Sequence, residues 1–122
     1  MIRDFKLSDL HEVNEWFAKR QLTALDETLI PQTGFIIPGM GAVFMYRTDS
    51  SFCLVENLIT NPLTTQKERR MAIDELLKAV AIAAHEQGFK KVIGLSKNTG
   101  FFDTALTHGE YIGNYRMYVK EV

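Results

Sequence analysis

The residues best placed to do chemistry lie in one short stretch. Thr64-Thr65-Gln66-Lys67-Glu68-Arg69-Arg70 gathers Lys67, Arg69 and Arg70 within two turns of a helix start. The first amides of a helix lack intrahelical partners and its N-terminus carries partial positive charge, so this stretch suits an anion, and a pyrophosphate in particular. Acidic residues are the favourable choice in a first turn. Cations there have the wrong sign, which is easier to understand if an anion sits nearby than if the turn is merely solvated.

Other chemistry finds little support. His11, His85 and His108 are far apart, without an HExxH or Cys-His spacing, and the first two fall on expected helix surfaces, so no metal site is expected. Cys53 lies inside an apolar strand, where a thiol with no base beside it stays protonated and inert. No nucleophile elbow, phosphate-binding P-loop or dinucleotide fingerprint is present.

The elements that position the stretch can be read along the chain. Ile2 to Phe5 predicts a short first strand. Asp9 with Glu12 fits a reciprocal cap for a helix running to Lys19 or Arg20, with Leu10, Val13, Trp16 and Phe17 at helical spacing. From Gln21 to Thr33 the pattern is ambiguous; Leu22, Leu25 and Leu29 could make one more helical face, ended by Pro31. Gly34 to Ile37 reads as a strand closed by Pro38-Gly39, and Gly41 to Tyr46 as another. Turn formers at Thr48 to Ser51 then lead into a third strand, Phe52 to Ile59. Three successive strands imply antiparallel pairing.

Asn61-Pro62 breaks that strand and a long helix follows. Thr65 and Glu68 make a capping box, Ile73, Leu76, Leu77, Val80, Ala81 and Ala84 mark an apolar face, and Gly88 stops the helix. Val92-Ile93-Gly94-Leu95 is an apolar run of the kind buried on both faces of a parallel sheet, completing a βαβ unit. Such a unit leaves a crevice at the carboxyl ends of its strands. A short helix over Asn98 to Thr107 and a strand over Tyr111 to Val119 close the chain.

Bulk properties bound the rest. The 122 residues suit one domain, 1–122, and 46% apolar with 24% charged residues is a globular composition. No 20-residue apolar stretch could cross a bilayer and no secretory signal is readable. With one cysteine no intramolecular disulfide forms, in keeping with the cytoplasm. A net charge of −1 argues against nucleic acid, and the tyrosines and Trp16 form no stacking platform. Met40, Phe44 and Tyr46 could leave an apolar edge for a homodimer.

Leu54-Val55-Glu56-Asn57-Leu58-Ile59-Thr60-Asn61-Pro62, then Gln66 to Ala72, the long helix and Val92 to Asn98 together resemble the central motif of the GCN5-related N-acetyltransferase (GNAT) superfamily. The strand pair Gly34-Ile37 and Ala42-Tyr46 is similar to that of small bacteriophage-encoded members, and in element order the resemblance covers essentially the whole chain. It implies an α/β (α+β) fold with a mixed, mostly antiparallel central sheet, a βαβ unit and splayed central strands, of the acyl-CoA N-acyltransferase type. It also implies acetyl-CoA as cofactor. The pyrophosphate would lie on backbone amides of Lys67 to Ala72, with Gln66, Lys67, Arg69, Arg70, Met71 and Ala72 as the cofactor loop. The pantetheine arm would run between Leu58-Ile59-Thr60 and Leu95-Ser96, as a strand surrogate satisfying unpaired backbone groups.

The sequence departs from the family pattern at two places. The loop carries no glycine, and the family's tyrosine in the last helix is replaced by Ala105. Acetyl transfer would need a base, an oxyanion donor and a proton for the departing sulfur. Glu56 is the candidate base, directly or through water, its alternative being the solvent-facing member of an alternating strand. A backbone N–H near Leu58 to Thr60 would polarise the carbonyl. Asn98, counted with the cofactor residues, would order the turn after its strand. Tyr111, Tyr115 or Tyr118 could reach the thiolate, with Tyr115 the candidate. The acceptor would be a small-molecule or protein amine. The rival reading is a non-catalytic member of the fold, an interaction or virion-associated structural protein.

Overall fold

The computed structural model describes residues 1–96 and 120. Among the described residues five strands, β1 (Arg3–Asp4), β2 (Thr33–Ile37), β3 (Gly41–Arg47), β4 (Phe52–Thr60) and β5 (Lys91–Gly94), form one sheet in that order. The first three pairings are antiparallel, and β4 with β5 is parallel. The helices α1 (Leu10–Lys19) and α2 (Gln66–Glu86) pack on its two faces, with α2 as the crossover of the parallel pair. The expected last helix, last strand, Asn98 and Tyr115 lie outside the described residues.

Side-chain alternation along the strands divides the core. Val43, Met45, Cys53 and Val55 turn toward α2 and pack on Leu76, Val80 and Ala84. Ala42 and Phe44 turn toward α1 and meet Val13, Trp16 and Phe17. Gly41 lets the layers close: a Cβ there would stand 3.0 Å from the Ile59 carbonyl oxygen and 3.2 Å from Leu76.

The parity of β4 reverses partway. Cys53 and Val55 belong to the α2 side, yet Ile59, an even number of residues further on, belongs to the α1 side. The cause is a bulge. Ala42 pairs with Ile59 and Phe44 with Glu56, so β4 spends one more residue than β3 over that interval, and Asn57 takes a left-handed φ of 59°.

Several local expectations change in three dimensions. The Asp9–Glu12 cap does not form: Asp9 receives bonds from the Lys6 amide at 2.8 Å and from Arg3, while Glu12 Oε1 accepts from the Gly39 amide at 2.8 Å. Gln21 to Thr33 makes no further α-helix, only a 3-10 turn at Glu27–Leu29, because Asn14 holds Leu25 through both its amide and carbonyl and the chain follows α1. On α2 the buried face takes Ala72 and Ala83 and leaves Ala81 exposed. β5 is not buried on both faces, since Val92 is 41% exposed. Phe44 is fully buried, so the Met40-Phe44-Tyr46 edge is not an exposed apolar strip. Among the described residues no helix is long and apolar enough to cross a membrane.

Candidate functional site

The β4–β5 ladder is short. Phe52 to Val55 pair with Lys91 to Gly94, and the Leu95 amide adds a last bond to the Val55 carbonyl at 2.9 Å. Beyond Val55, β4 runs on through Glu56 to Thr60 with no pairing to β5 among the described residues. Ile59 and Thr60 pair with β3 on their other side, while Leu58 lies in the bulge. Their side chains are packed inward, with Ile59 and Thr60 buried. Only backbone groups on that edge are left to meet a ligand.

The edge ends at the start of α2. Thr65 Oγ1 accepts from the Glu68 amide at 3.2 Å and Glu68 Oε1 from the Thr65 amide at 3.0 Å, the expected capping box. Hydrogen bonds from the Thr65 amide and then the Thr65 side chain hold the Glu68 carboxyl below its ordinary pKa. The Arg69 amide already makes the first intrahelical bond, to Thr65. Amides of Arg70, Met71 and Ala72 fall inside the helical ladder. The expected cradle from Lys67 to Ala72 therefore narrows to the amides of Gln66 and Lys67, with the Glu68 carboxylate beside them. Among side chains, Gln66, Lys67, Arg70 and Met71 are exposed and Ala72 is buried. Arg69 folds back, its Nη1 donating to the Thr64 carbonyl.

A second guanidinium reaches the same turn. Arg20, at the end of α1, donates from Nε to the Thr60 carbonyl at 3.1 Å and from Nη2 to Thr60 Oγ1 at 3.0 Å. Burial, with the charge of Arg69 nearby, pulls its pKa below the usual value. Arg20 and Arg69 thus brace the two ends of the Thr60–Thr64 turn, and neither has an acidic partner among the described residues. Two neighbouring cations without a counter-charge among the described residues make the end of β4 locally positive.

At the bulge a different group assembles. Glu56 is half-buried and pairs across with Phe44 on the α1 face, so it is not the freely solvated side chain of a plain alternating strand. Asn57 Nδ2 donates to Tyr46 Oη at 3.1 Å. Burial raises the pKa of the Tyr46 phenol, the Asn57 bond opposes that, and the charge of Glu56 adds to it. Tyr46, Glu56 and Asn57 therefore meet at the point where β4 parts from β5.

Arg20, Tyr46 and Asn57 escaped the sequence reading. Arg20 gives no local signal, because its partner is 40 residues away. Asn57 gives a weak one, asparagine being among the few residues that tolerate a left-handed backbone. Elsewhere, Cys53 is buried with its thiol pKa raised by desolvation. His11 and His85 are exposed, and no metal-holding cluster exists among the described residues. A polar cavity of about 420 Å³ lies between Asp4, Thr33, Phe35, Glu86 and Gln87, at the far end of α2 from this site.

No family model matches the sequence, and no curated protein matches it. Solved structures do. A probable acetyltransferase superposes with a TM-score of 0.73 at 12% identity, covering 100% of this chain and 99% of that one. The GNAT family acetyltransferase SP0256 of Streptococcus pneumoniae TIGR4 gives 0.67 at 12% identity, covering 100% and 98%. Rv2747 of Mycobacterium tuberculosis, solved in complex with CoA, gives 0.61 at 15% identity over 84% of this chain and 68% of that one. With its mixed sheet and βαβ unit, the chain has the acyl-CoA N-acyltransferase-like fold of the GNAT acetyltransferases.

Proposed function

We propose that this chain is an acetyl-CoA-dependent N-acetyltransferase whose acceptor is a primary amine. The observation that carries the reading is the β4 edge from Glu56 to Thr60: it is unpaired with β5 among the described residues, is closed at the Thr60 carbonyl by Arg20, begins at a bulge and ends at a helix N-terminus flanked by cations. An amide-bearing arm fits such an edge as a strand would, and a diphosphate fits the amides of Gln66 and Lys67 with Lys67, Arg70 and the Arg20–Arg69 pair around it. Acetyl-CoA supplies an activated acetyl group. The chain supplies alignment along β4, an N–H of the Leu58–Thr60 edge toward the carbonyl oxygen, and Glu56 as the base that takes a proton from the acceptor ammonium.

Calorimetry with acetyl-CoA and CoA tests the first half. Micromolar binding that is lost on Arg69→Glu/Arg70→Glu supports the reading, and no heat or thermal shift at millimolar ligand removes it. Glu56→Gln tests the second half: kcat drops about 10²-fold or more while acetyl-CoA binding is kept.

One observation favours a non-catalytic interaction protein of the same fold. The Glu68 carboxylate occupies the Thr65 amide and the Thr65 hydroxyl the Glu68 amide, at the α2 start where an anionic ligand would otherwise bind. Failure of all acetyl-CoA binding, with the protein folded, selects that second reading.

A further inference from the structure

Tyr46 stands on β3, one strand away from the open edge of β4, yet its phenol reaches β4 at the bulge. The bond from Asn57 Nδ2, at 3.1 Å, sets the direction of the hydroxyl. An amide N–H only donates, so the phenol oxygen accepts there and its own proton is left for a third group. Asn57 holds this bond from a left-handed backbone, φ 59°, an uncommon conformation of the kind retained where the surroundings demand it. Glu56 precedes Asn57 and lies opposite Phe44, on the face of the sheet that Tyr46 shares. Val13, Trp16 and Phe17 from α1 and Ile36 from β2 supply apolar surface on that face. A base and an oriented proton donor thus sit together where the β4–β5 ladder ends.

We propose that Tyr46 is the residue that protonates the departing thiolate, oriented by Asn57. The inference rests on the acetyl-transfer reading above. The acceptor nitrogen, relieved of one proton by Glu56, forms the C–N bond to the acetyl carbon. The C–S bond breaks and its electron pair stays on sulfur. The Tyr46 hydroxyl proton passes to that sulfur, and the phenolate recovers the second proton, which the nitrogen sheds. Glu56 releases its proton to solvent, so an ammonium and a thioester become an amide, a thiol and one proton, with both side chains restored.

The test compares two acetyl donors in wild type, Tyr46→Phe and Tyr115→Phe, with spermidine, kanamycin and an alanyl peptide as probe acceptors. With acetyl-CoA, Tyr46→Phe lowers kcat about 10²-fold at unchanged acetyl-CoA KM and unchanged melting temperature. With the acetyl thioester of 4-nitrothiophenol, whose thiolate leaves without a proton, the same variant recovers most of the wild-type rate. A merely structural role for Tyr46 produces no such rescue. Asn57→Gly, which keeps the backbone and drops the orienting bond, gives a smaller loss with the same rescue. It is the measurement to use if Tyr46→Phe folds poorly.

Wild-type rates in Tyr46→Phe, equal losses with both donors, or the rescue pattern in Tyr115→Phe instead each overturn the proposal and leave the acetyltransferase reading intact. Wild-type protein that binds no acetyl-CoA by calorimetry removes that reading, and this one with it.

Discussion

Arg20 holds the end of β4 through Thr60, donating to its carbonyl at 3.1 Å and to its hydroxyl at 3.0 Å across 40 residues of sequence. Together with the bond from Arg69 to the Thr64 carbonyl, this braces the turn that joins the open strand edge to the start of α2. Both donors are cations and both acceptors are neutral, so the turn gains rigidity and positive charge at once.

Arg20→Ala removes two bonds from a half-buried guanidinium. Allowing for solvent screening, the cost is about 1 kcal/mol, or a melting temperature lower by about 3–6 °C. Acetyl-CoA affinity falls by about tenfold, a loss that Arg20→Lys only partly repairs because one ammonium cannot reproduce the fork. Unchanged melting and binding in Arg20→Ala would show that the brace is incidental.

The Glu68 cap and an anionic ligand compete for the same helix end. Glu68→Gln keeps a side chain able to accept from the Thr65 amide while removing the charge. The melting temperature without ligand drops slightly and acetyl-CoA binding tightens, both readable in one thermal-shift series. Weaker binding in the variant would mean that Glu68 helps rather than hinders the ligand.

Asn57 is held at a positive φ that β-branched residues resist. Asn57→Val therefore costs about 1–2 kcal/mol in urea unfolding, whereas Asn57→Gly is close to neutral in stability. Equal stability of the two variants would place the bulge elsewhere.

Arg3 and Asp9 tie the first strand to the chain leading into α1 by two bonds of 2.8 Å. The Arg3 bond, aided by the Lys6 amide, holds the Asp9 carboxyl below its ordinary pKa, against the opposing effect of burial. A depressed folded pKa means stability that is fully present above the unfolded value, about 4, and lost as pH falls through the folded one. Wild type and Arg3→Ala therefore differ most in urea midpoint at neutral pH and converge as the medium is acidified below about pH 4. A constant difference across that range would show that Asp9 does not titrate with folding.

The legible parts of this chain were those with a local cause. Pro38-Gly39 marks the β2–β3 turn, with Gly39 at φ 76°, because few residues accept that backbone. Thr65 and Glu68 announce the start of α2, and Gly88 at φ 86° its end, for equally local reasons. The Asp9–Glu12 cap misled because both carboxylates found stronger partners elsewhere, Arg3 for one and the Gly39 amide for the other. The helical spacing of Leu22, Leu25 and Leu29 misled because Leu22 and Leu29 stay exposed and have no layer to bury against.

From its residues alone the chain determined its order of strands and helices as far as β5, the cations at the start of α2 and the acid in β4, since hydrophobic period, capping and turn chemistry act over a few residues. Tertiary structure alone decided that β4 parts from β5 after Val55, that Asn57 absorbs the extra residue, and that Arg20 and Tyr46 arrive at the two ends of the open edge. These outcomes depend on strand register and on contacts between distant segments. A shift of one residue in pairing exchanges the two faces of a strand, and no local pattern records which register the packed core will choose.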